Sequence, residues 1–371
     1  MKYFIIIFNI IINFFYLFFK LLPTKKNKIF FLSRQTENPS IDYRMLIEEI
    51  EQNFSDYKIV VTTRKIKKNF KDVLFKNTGI LFKQMYHLAT SKVCVIDGYN
   101  ISISMLHHKK DLTVIQIWHS LAAIKKFGYQ SLDTNKKKII SKYMKMHKNY
   151  NYIISGSNAM IPYFAESFGY DVSRFKSLGL PRIDYLLNNK KINKQKIYKK
   201  YPELRKKKTI LYAPTFRDNN HYEFAALENT IDHDKYNFIM KIHPNIQYTN
   251  TSNKTYTCDE FTTLQLLSIA DYVITDYSAV SIEAAVLDIP TFLYVYDYDE
   301  YKEYPGINID LYAELPGYVF KNPKELYQCI KKQRYDTKSF SEFKNKYVAN
   351  TKGNVTKTLA KFIIEGCEKA W

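Results

Sequence analysis

Two successive series of short apolar runs, each alternating with longer helical stretches, restrict this 371-residue chain to very few architectures. The first series comprises Ile29–Ser33, Lys58–Thr63, Val93–Asp97, Thr113–Trp118 and Tyr152–Ser155. A polar, lysine-rich helical stretch, Asn188 to Lys208, separates it from the second. That second series comprises Thr209–Ala213, Tyr236–Lys241, Tyr272–Thr275, Thr291–Tyr294 and Gly317–Phe320. Each run is rich in β-branched or aromatic residues and reads as a buried strand. Strands that alternate with helices build parallel sheets covered on both faces. The sequence therefore predicts an α/β protein with two Rossmann-like domains facing a cleft, and its length suffices for two cores. The expected division is an apolar segment over 1–24, a first domain over 25–187 and a second over 188–371.

The beginning of the chain points to a membrane. Tyr3 to Leu22 is apolar except for Asn9, Asn13 and Lys20, and Lys25, Lys26 and Lys28 follow. Its length approaches the ~20 residues that cross a bilayer as a helix. The lysines behind it would stay on the cytoplasmic side. The run is too long for a cleaved signal, and no small-x-small site follows it. A spanning anchor, an interfacial helix and a buried first helix all satisfy this pattern. Because the first expected strand begins at Ile29, residues 1–22 are expected to be dispensable for folding.

Charge divides the chain in the same sense. Residues 1–190 hold 30 basic and 13 acidic side chains, against 26 and 23 in the remainder. An excess confined to the first half suits a polyanion: a nucleic acid, an anionic membrane surface or a phosphate-rich substrate. A lysine-rich composition that serves solubility alone accounts for the charge as well. Cys94, Cys258, Cys329 and Cys367 are far apart and form no C-x-x-C, so neither a zinc site nor a disulfide framework is expected.

Ligands of α/β sheets gather at the carboxyl ends of strands. Beyond Thr113–Trp118 stand His119, a candidate general base, and the pair Lys125 and Lys126, candidates for phosphate. A histidine at a strand end is by itself a weak signal. The second series is denser. Thr215, Arg217 and Asp218 follow one strand, His243 follows the next, and Asp276, Tyr277 and Ser278 end a third. Ser278 would open a helix that bears Glu283, and helix N-termini favour phosphate. No carboxylate cluster suggests an obligatory metal, and no cofactor is expected beyond the substrate itself.

Taken in order, these pieces resemble the CDP-glycerol glycerophosphotransferase family of teichoic-acid synthesis. The resemblance runs through Ile115-Gln-Ile-Trp-His119, Lys125-Lys-Phe-Gly128, Ser155-Gly-Ser157 and Gly179-Leu-Pro-Arg-Ile-Asp184. It continues through Ala213-Pro-Thr-Phe-Arg217, Lys241-Ile-His-Pro244, Thr275-Asp-Tyr-Ser278 and Tyr294-Val-Tyr-Asp-Tyr-Asp-Glu-Tyr301, with Leu315-Pro-Gly317 behind. It implies a GT-B fold with an acceptor domain first, a CDP-donor domain second and monotopic attachment to the inner leaflet. It also implies that an acceptor hydroxyl attacks the alditol-bearing phosphorus of a CDP-alditol and releases CMP. On this resemblance His119 serves as base. His243 and Arg217 stabilise the pyrophosphate, Thr215, Asp276 and Ser278 complete the donor site, and Glu283 accepts from the ribose. Lys125 and Lys126 meet a polyprenyl-diphosphate-linked acceptor. One departure stands out: Trp118-His-Ser-Leu121 replaces the family's Trp-His-Gly-Thr.

Two other classes compete. A GT-B glycosyltransferase would share the fold but would not be expected to combine these motifs. A non-enzymatic polyanion binder at the membrane surface would explain the charge without the strand-end histidines. No nucleic-acid partner is expected.

Overall fold

The computed structural model describes residues 2–65, 78–217, 222–242, 254–348 and 353–368. Two six-stranded sheets carry the fold, with every strand pair parallel. The first holds β1 (Lys25–Ser33), β2 (Lys58–Thr63), β3 (Ser91–Ile96), β4 (Thr113–Gln116), β5 (Tyr152–Ser155) and β6 (Phe175–Ser177), in the order β2-β1-β3-β4-β5-β6. The second holds β7 (Lys208–Tyr212), β8 (Tyr236–Met240), β9 (Thr255–Tyr256), β10 (Tyr272–Thr275), β11 (Thr291–Tyr294) and β12 (Val319–Phe320), in the order β12-β11-β10-β7-β8-β9. All ten expected strands are present. β6 and β9, runs of three and two residues, had no expected counterpart.

Seven helices matter below: α1 (Lys2–Lys20), α2 (Ile41–Asn53), α3 (Thr78–Thr90), α4 (Asn135–Tyr143), α5 (Arg182–Lys200), α6 (Val280–Val286) and α7 (Val355–Glu368). The central strands β3, β4, β10 and β11 are buried at every residue, as parallel sheets between helices require. The expected boundary at 187/188 falls inside α5, which runs from one sheet to the other. The last helix, α7, was expected with the second domain but packs on the first, against α2, β1, β3 and β4. Gly366 allows that approach: a Cβ there would already touch Val93, Thr113 and Ile115.

The apolar first segment is also more integrated than its sequence suggested. α1 lies along α3 and α4 and buries Ile5, Ile12 and Tyr16. Burial of each isoleucine contributes about 1.5–3 kcal/mol. The asparagines that interrupt the apolar run face the protein: Asn13 donates to the Met105 carbonyl at 3.0 Å and accepts from His107 N–H at 2.8 Å. Tyr16 meets His108 at 3.1 Å. The expectation that the cores begin at Ile29 is therefore corrected, because α1 supplies part of the first one. Its other side carries Tyr3, Ile7, Ile10, Phe14, Leu17 and Phe18, all exposed.

Candidate active site

Each sheet reverses its winding at one point, between β1 and β3 in the first and between β7 and β10 in the second. Crevices open outside the carboxyl ends of strands at such reversals. The described residues singled out in the sequence collect at or beside these two places.

On the first sheet the chain leaves β4 through Trp118, whose φ of 58° lies in the left-handed region. That conformation costs a bulky residue roughly 1–2 kcal/mol and needs support. The support is visible. The indole stacks on Phe127 at 4.9 Å and meets the edge of Phe168 at 5.1 Å, while the Trp118 backbone N–H donates to Gln116 Oε1 at 2.8 Å. The turn carries His119 back over β3, where its Nδ1 lies 3.0 Å from the Asp97 carbonyl. A carbonyl only accepts, so Nδ1 carries the hydrogen and Nε2 keeps a free lone pair. Crowding by the cleft walls lowers the imidazole pKa, and the charges of Arg182 and Lys125 push it the same way against the carbonyl's pull. His119 is nevertheless exposed to solvent as a residue. The site thus holds a neutral imidazole of fixed tautomer.

Asp97 itself is buried, and its Oδ1 has no hydrogen-bond partner among the described residues. Burial raises its pKa to about 6, with the Ser33 hydroxyl opposing. Lys125 and Lys126 expose their side chains but are fixed through their backbones. Lys125 pairs with Ile307 of the second domain in an antiparallel bridge, and Lys126 N–H donates to the Gly306 carbonyl at 2.9 Å. Asn308 extends this strap by donating to the Ile124 and Ala123 carbonyls, both at 2.8 Å. Gly306 has φ 94°, and a Cβ there would stand 2.8 Å from Lys126 Cδ. Nothing in the sequence pattern announced this strap.

On the second sheet, Thr215, Arg217 and Asp276 form one network. Asp276 accepts from Thr215 N–H at 2.9 and 3.0 Å and from Arg217 Nη1 at 2.8 Å. Asp297 takes Arg217 Nε at 2.5 Å and Nη2 at 3.0 Å. Tyr277 donates to the same Asp297, and the rings of Tyr222, Tyr277, Tyr296 and Tyr301 surround the guanidinium at 4.7 to 5.9 Å. Burial alone would depress Arg217, but Asp297 and Asp276 outweigh it and hold the group protonated. The expectation that Arg217 itself faces a diphosphate meets a side chain only 4% exposed, with its donors already engaged. Its observed work is to set the backbone of Thr215 beside that of Tyr277. Thr215 Oγ1, by contrast, is buried without a partner among the described residues. Ser278 is half-buried at the start of α6, and its Oγ accepts from Val280 N–H at 3.3 Å.

Glu283 does not stand open either. It bonds Arg182 Nη1 at 2.8 Å, and Arg182 reaches Asp42 of the first domain through Nε at 3.0 Å and through Nη2. The motif containing Arg182 was legible, but its reach across the cleft was not. His243 and Asp218 lie outside the described residues. No group of three or more His, Cys, Asp or Glu suited to a metal occurs among the described residues.

The profile of the family described as CDP-Glycerol:Poly(glycerophosphate) glycerophosphotransferase matches residues 14–365. The teichoic acid poly(ribitol-phosphate) polymerase of Bacillus spizizenii is 31% identical over 95% of this chain, which spans 58% of that protein's length. The teichoic acid ribitol-phosphate primase of the same species is 30% identical, with 92% of each chain covered. The teichoic acid glycerol-phosphate primase of Bacillus subtilis is 31% identical over 86% of this chain and 88% of that one. In three dimensions the wall teichoic acid polymerase TagF matches with a TM-score of 0.73, over 99% of this chain and 98% of that one, at 20% identity. That likeness shows the fold, which is GT-B-like. A UDP-GlcNAc 2-epimerase from Neisseria meningitidis shares it more distantly, with a TM-score of 0.56 at 14% identity over 91% of this chain and 100% of that one. With the profile running through both sheets and both clusters, the chain belongs to the CDP-glycerol:poly(glycerophosphate) glycerophosphotransferase family.

Proposed function

We propose that this protein transfers an alditol phosphate, with glycerol phosphate as the unit, from a CDP-alditol to the hydroxyl of a polyprenyl-diphosphate-linked acceptor in teichoic-acid synthesis. The observation that carries the reading is His119, whose Nδ1 hydrogen is committed to the Asp97 carbonyl and whose Nε2 is left to accept a proton. The acceptor hydroxyl gives its proton to Nε2 as its oxygen bonds the alditol-bearing phosphorus. The bond from that phosphorus to the bridging oxygen breaks, and CMP leaves with the electron pair. Such a step depends on positioning and charge stabilisation rather than on a covalent enzyme intermediate. In this reading Thr215 Oγ1 and the Ser278 segment receive the donor, with His243 at the diphosphate and Arg217 holding the platform. Glu283 turns its second oxygen to the ribose. Lys125 and Lys126 face the acceptor diphosphate.

The membrane part of the reading rests on α1. The helix is long and apolar enough to cross a bilayer, yet it is bound to the protein along one side. Held this way it lies in the cytoplasmic leaflet as a monotopic anchor, apolar face down. The basic first domain would add attraction to anionic lipid, about 1 kcal/mol per well-placed lysine.

CMP release from CDP-glycerol and from CDP-ribitol, with a prenyl-diphosphate acceptor in vesicles, tests the proposal. Ribitol-phosphate and glycerol-phosphate primases match at 30% and 31% identity, so CDP-ribitol is the competitor that matters. Faster turnover of CDP-ribitol would replace glycerol by ribitol. Turnover of a UDP-sugar in place of both would sink the phosphotransferase reading.

A further inference from the structure

Arg182 is the first residue of α5, and its guanidinium is divided between carboxylates from opposite domains. Asp42, at the start of α2, takes Nε, Nη2 and also the Arg182 backbone N–H at 2.8 Å. Glu283, on α6 behind the donor segment, takes Nη1 at 2.8 Å. All three side chains are nearly removed from solvent, at 12%, 2% and 8% exposure. Burial would depress the guanidinium, but Asp42 and then Glu283 outweigh it and keep the charge in place. Two residues further, Asp184 caps α7 by accepting from Val355 N–H, Thr356 N–H and the Thr356 hydroxyl. Gly179, at φ 77°, makes the tight entry to this segment and donates to the Ser155 carbonyl. One short motif thereby fastens α2, α6 and α7 to the linker helix.

We propose that Arg182 is a positioning residue, a clasp that sets His119 of the first domain against the donor segment of the second by bridging Asp42 and Glu283. A planar fork suits this role, since it presents two edges in fixed directions; a lysine has a single charged point and cannot reproduce both contacts. The clasp lies beside the chemistry, near enough for its charge to act on His119.

The transferase reading enters only through the kinetic arm of the test. Arg182→Gln is expected to reduce turnover by roughly 100-fold, the scale of a small misplacement of reacting groups. CDP-glycerol affinity, measured by calorimetry, should fall far less than turnover, by no more than the loosening of Glu283 at the ribose accounts for. Arg182→Lys should remain as slow as Arg182→Gln despite its charge. Asp42→Asn, whose position lies on the domain remote from the donor, should reproduce the same split and serves if Arg182→Gln does not fold. A second arm needs no activity. The effects of Asp42→Asn and Glu283→Gln on thermal midpoint should be non-additive, and should become additive in an Arg182→Lys background. Full turnover in Arg182→Lys would overturn the clasp, as would donor affinity falling in step with turnover or additive midpoints in the native background. Failure of the wild type to bind CDP-glycerol would count against the transferase reading and leave the midpoint cycle to decide the clasp.

Discussion

The two strand-end clusters use polar groups in opposite ways. Around β7 and β10 the guanidinium of Arg217 is closed off by two carboxylates and four tyrosine rings. Around β3 and β4 the groups are left incomplete: His119 Nε2 has a free lone pair, and Asp97 Oδ1 has no partner among the described residues. A satisfied buried network rigidifies its surroundings, whereas an unsatisfied polar group is an energetic burden that persists where it serves a purpose. Arg217 in the second cluster is built to hold a shape, with Thr215 Oγ1 its one open group named above, whereas the histidine and aspartate of the first are themselves left to accept something.

The sharpest way to break this contrast is His119→Ala. It should reduce transfer by the ~10²–10⁴-fold typical of losing a positioned acid–base group and leave CDP-glycerol affinity intact. Single-turnover rates beside calorimetry decide it, and loss of affinity with retained turnover would make His119 a donor ligand. The complementary test is Arg217→Leu, which strands Asp276 and Asp297 without a cation. Breaking a buried pair from one side costs about 3–5 kcal/mol, so the effect should appear first as lowered denaturation midpoint. A variant of native stability that had lost only donor binding would show that Arg217 touches the donor after all.

A smaller effect should come from Asp97→Asn. Because burial lifts this carboxyl to about 6, its ionised form weighs against the fold increasingly as pH rises from the ordinary aspartate value near 4 through 6. The variant should therefore be more stable than the native protein at pH 8, by up to about 2–3 kcal/mol, and equal to it at pH 4. A gain of the same size at both pH values would show that packing rather than charge is responsible. The mildest contrast is with salt. Activity on a membrane-embedded acceptor should fall as ionic strength rises, while CDP-glycerol binding changes little, since exposed lysines are screened beyond roughly 8 Å at physiological ionic strength. Equal sensitivity of both measurements would remove the division of labour between the domains.

What the sequence disclosed follows from how far apart the interacting residues stand. Period and composition found all the strands but β6 and β9, because a strand's apolar run is written in its own residues. They also brought His119, Thr215, Asp276 and Ser278 to the correct sheet edges. The states of those side chains were out of reach, since they depend on distant partners: Arg217 on Asp297, 80 residues on, and Arg182 on Glu283, 101 residues on. The strap at Gly306 rests on backbone bonds, which leave little trace in side-chain identity. α1 misled for a different reason. Its apolar residues encircle the helix, so composition alone could not say that one side is already occupied.

The placement of α7 has a consequence for synthesis. On one face the first sheet acquires its cover over β3 and β4 from residues that follow the whole second sheet in the chain. At about 5–20 residues per second, the ribosome reaches Val355 roughly 9–35 s after it completes β6. During that interval the nascent first domain exposes Val93, Thr113 and Ile115 to whatever surrounds it. Its basic surface and the apolar side of α1 have by then emerged. The newborn chain is therefore at its stickiest while half made, and the closing helix ends that exposure on the first sheet.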